Sequence, residues 1–332
     1  MSKEGAACAR KTSVGGQALI EGVMMTGPKG TVLSVRNTKG EIVTEDVVFT
    51  HIKDKIKFLG WPMIRGVVNY IETMKLGYKT LMRSAELSGQ LEDEEDPENM
   101  SKLDRWLSDH MGPKLMGAIS VVASALAMVI GVFLFMWLPI WLVDMIDEKL
   151  VVGYTFERLH PLYEGLMRGA IMVVYMFLVS RMKDIHRVFM YHGAEHKSIT
   201  CYEKGWDLTV ENVLKCKRFH PRCGTSFIFI ILIVSIIVSS VIMIAFPQLG
   251  DKSLRLVWMA VKLLVILPIV TGISYEMIKY AGRHDNIVTK IFSAPGLWMQ
   301  RITTAEPTGE MAEVAIASIK AVITENPEDD SL

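Results

Sequence analysis

The residues best suited to chemistry lie between positions 186 and 223, where half of the eight histidines fall. His192 and His196 are four residues apart, so on a helix their rings project from one face and can reach a single ion. Glu195 lies about 60° from His192 around the same helix. This H-x-x-E-H spacing reverses the H-E-x-x-H zinc signature, in which two imidazoles bind the metal and the glutamate takes a proton from water. It predicts a zinc site with Glu195 as the general base.

Two imidazoles alone hold a divalent ion weakly, so the sequence should supply further ligands. His220 and Cys223 follow in the same segment, and Glu276 is an oxygen donor near the end of the last apolar stretch. We expect zinc, or another divalent transition metal, to be bound by His192, His196 and one or two of these three groups. Three protein ligands would leave a position for water, whereas four would close a structural site.

Simpler interpretations of these residues compete with the metal site. A five-residue pattern with only three fixed positions can occur by chance. Histidines near a membrane surface also commonly hydrogen-bond carbonyls or lipid phosphates. Cys201 and Cys216 are expected to be small buried or surface thiols rather than ligands. Lys262 is expected to extend toward the membrane surface, and the 22 methionines are expected to fill helix interfaces.

The composition indicates a membrane protein. The chain has 332 residues with 36 basic and 36 acidic side chains, and its mean hydropathy of +0.30 is high for a soluble protein with this charge content. The neutral balance and the lack of a basic stripe argue against nucleic acid as a partner. Four cysteines are too few and too unevenly spaced for a disulfide framework.

Four apolar stretches are predicted to cross a bilayer, since each approaches or exceeds the roughly 20 residues that a spanning helix needs. The weakest is 162–180, where Arg168 shortens the uncharged run, and in the last stretch we expect Pro268 to kink the helix. The four predicted spans are 115–143, 162–180, 225–248 and 256–275.

The distribution of charge predicts the orientation of these spans. Residues 181–224 hold nine lysines and arginines, whereas residues 144–165 hold five acids and two bases. Because short basic loops stay in the cytoplasm, the segment 181–224 and both termini are expected there.

The remaining segments are predicted to form small elements outside the bilayer. A β-hairpin is expected from TVLSVR and EIVTEDVVF around the turn NTKG, and the preceding glycine-rich stretch is expected to form tight turns. It lacks the lysine of a phosphate-binding loop, so we reject a nucleotide site. The pattern of residues 61–87 predicts an amphipathic helix on the inner leaflet, and that of 310–323 predicts a short amphipathic helix. Residues 92–99 are predicted to form an acidic linker.

The predicted fold class is therefore a mainly α membrane protein with about four transmembrane helices, amphipathic helices and a small N-terminal cytoplasmic β-rich piece. We divide the chain into a β-rich and glycine-rich segment, an amphipathic helix with acidic linker and lead-in helix, a four-span domain that contains the metal-motif loop 181–224, and a cytoplasmic tail. These four parts cover 1–58, 59–114, 115–278 and 279–332.

Long motifs along the chain resemble those of the YqhQ-like family, a bacterial membrane domain of unknown function that is labelled a predicted metal-dependent enzyme. They are GGQALIEGVMMTGP, YHGAEHKSITCYE, LTVENV, HPRCGTSF and SAPGLWMQRITTAEP. The resemblance places His192, Glu195, His196, His220 and Cys223 at motif positions. It also implies a bacterial inner (plasma) membrane.

The leading hypothesis is a zinc-dependent hydrolase that acts at the cytoplasmic face on a peptide, ester or protein. The rival is a non-enzymatic scaffold or accessory factor, in which the same residues close a zinc clamp. A transporter is a third alternative, which rests only on Lys262 and Pro268. Membrane lipids are expected partners, and self-association into a homo-oligomer is a further alternative.

Overall fold

The computed structural model describes residues 11–50, 52, 56–62, 64–90, 113–150, 153–221, 223–246, 252–284, 286–326 and 329–330. Side chains are described for most of these positions, with gaps chiefly at the ends of helices. Cys8 and the predicted acidic linker 92–99 lie outside the described residues.

Four strands near the N terminus form one antiparallel sheet in the order β1-β2-β3-β4. The predicted hairpin is confirmed as β3 and β4, and its turn is held by Asn37, whose side-chain oxygen accepts hydrogen bonds from the backbone N–H groups of Lys39 and Glu41. The prediction of tight turns for the glycine-rich stretch is wrong over most of its length, because it pairs as β1 and β2. The strands are Gly15–Leu19, Gly22–Gly27, Gly30–Arg36 and Ile42–Asp46.

The rest of the described chain is mainly helical. A π-helical segment, Phe133–Trp137, joins α2 to α3, and a second, Lys262–Ile266, joins α8 to α9. The amphipathic helix predicted over 61–87 and the tail helix are confirmed as α1 and α11. The helices α1 to α11 are Ile64–Leu87, Pro113–Val132, Leu138–Leu150, Gly153–Val179, Lys183–Glu203, Val210–Lys215, Gly224–Ala245, Arg255–Val261, Leu267–Arg283, Ile287–Thr303 and Gly309–Val322.

Four helical stretches in the described residues are long and apolar enough to cross a membrane, as the sequence predicts. The stretch that contains Arg168 starts at Leu159, three residues earlier than predicted, and so reaches 21 residues. Near Pro268 the distortion takes the form of the π-helical segment just before it, and the helix continues beyond. The candidate spans are Val122–Ile146, Leu159–Val179, Phe227–Ala245 and Val257–Ala281.

The segment 181–224, which connects the second and third candidate spans, is largely helical and belongs to a folded unit with the sheet and the tail. Helix α5 packs on β1, and α11 packs between α5 and strands β2 and β3. Tyr191 and Ala194 of α5, Met25 of β2 and Ile319 of α11 share one buried core. Burial of these apolar side chains fixes the orientation of α5, because rotation about its axis would expose them to water.

The metal motif lies on a helix of its own and does not extend the second candidate span. Helix α4 ends at Val179, a short turn follows, and α5 begins at Lys183 after Met182, whose backbone is extended. The helix that carries the histidines is therefore aimed by its contacts with the sheet and with α11, and not by the direction of α4.

Candidate metal centre

Three side chains with ligand atoms converge where α5 meets the start of α7. The ligand atoms of His192, His196 and Cys223 all lie within 4.8 Å of one another. The Nε2 atom of His192 is 3.2 Å from the Sγ atom of Cys223. The two imidazole rings meet edge to face with centroids 4.4 Å apart. The helical spacing predicted that the two rings would meet, and the structure adds Cys223 as the third group.

Both histidines are held through their outer ring nitrogens. The Nδ1 atom of His192 is 2.8 Å from the carbonyl oxygen of Thr303, and the Nδ1 atom of His196 is 2.5 Å from that of Arg218. A carbonyl only accepts, so each Nδ1 carries a proton and donates it, and in the neutral ring Nε2 then keeps its lone pair. Metal-binding histidines almost always have such an outer hydrogen bond, which fixes both the tautomer and the ring orientation.

Gly193, between the two histidines, allows a close backbone contact. A Cβ atom at this position would overlap the carbonyl oxygen of Ala305. The backbone N–H of Ala305 in turn donates to the carbonyl of Phe189 at 2.8 Å. The chain that follows α10 therefore runs directly against α5, and this approach brings the carbonyl of Thr303 to His192.

Glu195 lies beside the three converging groups and is almost fully buried. Its Oε2 atom is 3.8 Å from the Nε2 atom of His192, and its side chain is 6% exposed. Burial raises its pKa to about 7; the thiol of Cys223 adds to the rise, while His192 and a hydrogen bond from the backbone of Gly16 oppose it. Strand β1 thus covers the carboxyl group of Glu195. Because its pKa is close to 7, this group can exchange a proton near neutral pH.

His220, predicted as a ligand, lies next to the group of three but its ring faces elsewhere. Its Nε2 atom is 3.3 Å from Oε2 of Glu203, and its ring centroid is 5.7 Å from that of His196. The side-chain amide of Gln300 accepts from the backbone N–H of His220 and donates to its carbonyl, both at 2.8 Å. This double contact anchors the segment that leads to Cys223.

Burial also sets the charge of the inner imidazoles. The pKa of His196 is well below its usual value, because of burial first and the neighbouring His192 and His220 second. Burial lowers the pKa of His220 to about 4. Both rings are therefore neutral at pH 7, and a neutral imidazole is the form that binds metals.

The other residues considered from sequence are placed away from the three groups. Glu276 accepts two hydrogen bonds from Arg65 of α1, at 2.7 and 2.5 Å, so the structure assigns it to an ion pair. Cys201 and Cys216 are buried in a core with α6 and α11, and burial raises the pKa of both thiols, to about 12 for Cys201. They behave as the small buried thiols that the sequence suggested.

Sequence reasoning missed the residues that position the site, namely Gly193, Gln300 and Thr303. Gln300 and Thr303 lie in the motif SAPGLWMQRITTAEP and Gly193 lies in YHGAEHKSITCYE, and membership of these motifs was their one signal. The backbone carbonyls of Thr303 and Arg218 could not have been found, since a carbonyl carries no mark of residue type.

Comparison of the sequence with known proteins places the chain in a family. Residues 61–325 match the family described as "Protein of unknown function (DUF1385)". The chain belongs to this family. It is also 32% identical, over 312 residues, to the "Uncharacterized protein YqhQ" of Bacillus subtilis (strain 168), across 93% of this chain and 92% of that protein. The family resemblance expected from the sequence is thus confirmed. No solved structure matches the chain.

Proposed function

We propose that the protein is a multi-pass protein of the bacterial plasma membrane that carries a zinc-dependent hydrolytic centre on its cytoplasmic side. His192, His196 and Cys223 would hold the metal. The observation that carries this proposal is the pair of outer hydrogen bonds, which leave both Nε2 lone pairs beside the thiol of Cys223. Two imidazoles and a thiol form a set that suits zinc, and a site with three protein ligands keeps one position open.

Glu195 is the group that would handle protons during hydrolysis. A bound zinc ion would act as a Lewis acid on a carbonyl or on water. The carboxylate of Glu195, held by the backbone of Gly16 and 3.8 Å from His192, would accept the proton of a water that attacks a peptide or ester carbonyl. A carboxyl group with a pKa near 7 can also return that proton to the leaving group.

The orientation in the membrane can be tested independently of the metal. The basic segment 181–224 would place α5 and the metal centre in the cytoplasm. We expect alkaline phosphatase, which is active only outside the cytoplasm, to be active when fused after Phe246 and inactive when fused after Arg181. Fusion after Glu325 should also give an inactive enzyme. Reversed activities would place the centre on the outer side.

A second candidate function is a structural zinc clamp, and the burial of the site favours it. The side chain of His192 is 11% exposed, and His196 and Cys223 are 1% and 8% exposed. A metal bound there would link α5 to the start of α7, and the outer hydrogen bond of His192 would extend the link to the end of α10. In this role Glu195 or His220 would complete a closed set of four ligands.

Elemental analysis followed by X-ray absorption separates the two functions. Protein purified without added metal should contain about one zinc per chain. For the hydrolase, the zinc-edge spectrum should show two nitrogens, one sulfur and an oxygen that exchanges with solvent ligands such as azide. A closed shell of four protein ligands would support the clamp. Protein free of any transition metal that also fails to bind added zinc would contradict both.

A further inference from the structure

A second site lies among the candidate spans, apart from the metal centre. A partly open cavity of about 260 Å³ is lined by both π-helical segments together with α3, α4, α7, α8 and the start of α9. Its wall is mostly apolar, with Phe135, Ile231 and Ile266 among the contributing side chains. Two cationic side chains, Arg168 and Lys262, also line it, and no part of the metal centre does.

These two cations share one carboxylate. The Nζ atom of Lys262 donates to both carboxylate oxygens of Glu164, at 2.7 and 2.8 Å. An Nη2 hydrogen of Arg168 is donated to the same carboxylate at 2.5 Å. Glu164 is 5% exposed and lies behind the cations, since it is not among the residues that line the cavity. Asp144, another acid among the described residues near these helices, is 3.1 Å from the ring of His160 and likewise does not line the cavity. The charge that faces the cavity is therefore positive.

The ion cluster lies within the candidate spans, with Glu164 and Lys262 each five residues after the start of its own span. Gly165, next to Glu164, packs so closely on Ile236 that a Cβ atom would overlap its side chain. Ile236 is nine residues from each end of the span Phe227–Ala245. In a bilayer this depth makes a charged side chain costly, so such residues usually serve a ligand or transport pathway.

Distorted helices surround the same cluster. Lys262 is the first residue of the π-helical segment Lys262–Ile266. The Nε of Arg168 donates at 2.8 Å to the carbonyl of Phe135, which lies within the other π-helical segment. Helical distortions of this kind are frequent at functional sites, because they free or redirect backbone groups.

We propose that this cavity binds the anionic group of a single-chain amphiphile, with Arg168 and Lys262 facing the anion and the apolar wall holding the chain. The inference rests on the proposed membrane location but not on the metal centre. A volume of about 260 Å³ is just below that of pockets that enclose drug-sized ligands, so it suits part of one acyl chain and not a whole two-chain lipid. The required chemistry, an acid at the end of a single chain, is that of a fatty acid carboxylate.

Quenching of tryptophan fluorescence by brominated ligands tests this site. Trp258 is 6% exposed, and Nζ of Lys262 lies 5.5 Å from its ring centroid. The full-length protein in neutral detergent is titrated with a brominated fatty acid, the matching neutral alcohol and a brominated phosphatidylglycerol. Comparison with Trp258→Phe isolates the signal of this residue from the other six tryptophans. We expect saturable quenching by the fatty acid, with at least about tenfold higher affinity than for the alcohol.

Substitutions separate the anion site from general effects on folding. Arg168→Gln should weaken binding of the acid by at least about tenfold and leave binding of the alcohol unchanged. Arg181→Gln is the matched control, because Arg181 follows the same helix and stacks on Phe177 at the surface. Ser235→Leu, which retains every charge and fills part of the cavity, should remove quenching by all chain ligands.

The binding measurements can contradict the proposed site in several ways. Tighter binding of phosphatidylglycerol than of the fatty acid would contradict the single-chain assignment and point to a phospholipid instead. Equal affinities for acid and alcohol, no saturable quenching of Trp258, or full binding by Ser235→Leu would each overturn the proposal. The zinc content of the same preparations reports on the metal centre separately, so either proposal can fail alone.

Discussion

Glu195→Gln should leave the zinc content unchanged while lowering the rate of hydrolysis by about 10²–10⁴-fold, the usual contribution of a positioned general base. The amide has the shape of the carboxylate, so the contact with the backbone of Gly16 and the burial beside His192 can persist. It cannot accept the proton. Because a buried charge is removed, the variant should unfold at the same temperature as the parent or at a higher one.

Turnover of a fluorogenic peptide and of a p-nitrophenyl ester would measure this effect, alongside elemental analysis. Asp184→Asn is the matched control, since Asp184 is an exposed acid in the first turn of the same helix. If Glu195→Gln loses zinc together with activity, Glu195 is a ligand and the clamp gains support. Unchanged turnover in a zinc-loaded variant would exclude Glu195 as the base.

His196→Ala and Cys223→Ser should each bring the zinc content from about one per chain to near zero after dialysis. Loss of an outer hydrogen-bonding partner typically costs metal sites about 10–100-fold in affinity, and loss of a ligand should cost more. The midpoint of thermal unfolding should also fall, because a metal that binds only the folded state stabilises it. Adding a chelator to the parent protein should produce the same shift, and adding zinc should reverse it.

Two further histidine variants make this test selective. His186→Gln, at an exposed position of the same helix, should keep its zinc. His220→Gln should also keep zinc, since the ring of His220 faces Glu203 and lies outside the group of three. Loss of zinc from folded His220→Gln would instead establish the four-ligand set that the sequence suggested. Zinc retained by both His196→Ala and Cys223→Ser would remove this site from consideration.

Local periodicity accounts for what could be predicted of the fold. Long uncharged runs predict the four spanning-length helices, because helix formation and apolar burial depend on residues close in the chain. The same reasoning gave α1, α11 and the β3–β4 hairpin. It failed for β1 and β2, since their glycines favour turns in isolation and the strands exist only through pairing with each other and with β3.

For the candidate site, the sequence by itself determined that the rings of His192 and His196 share a helix face and that Glu195 lies beside them, since one helical turn fixes those angles. Only the tertiary structure decided which distant groups meet them. Cys223 approaches and His220 turns to Glu203 because Gln300 anchors the intervening backbone. Likewise, Lys262, expected from sequence to reach for the membrane surface, pairs with Glu164, a partner 98 residues away. Such encounters depend on packing between separate helices, which residue spacing does not encode.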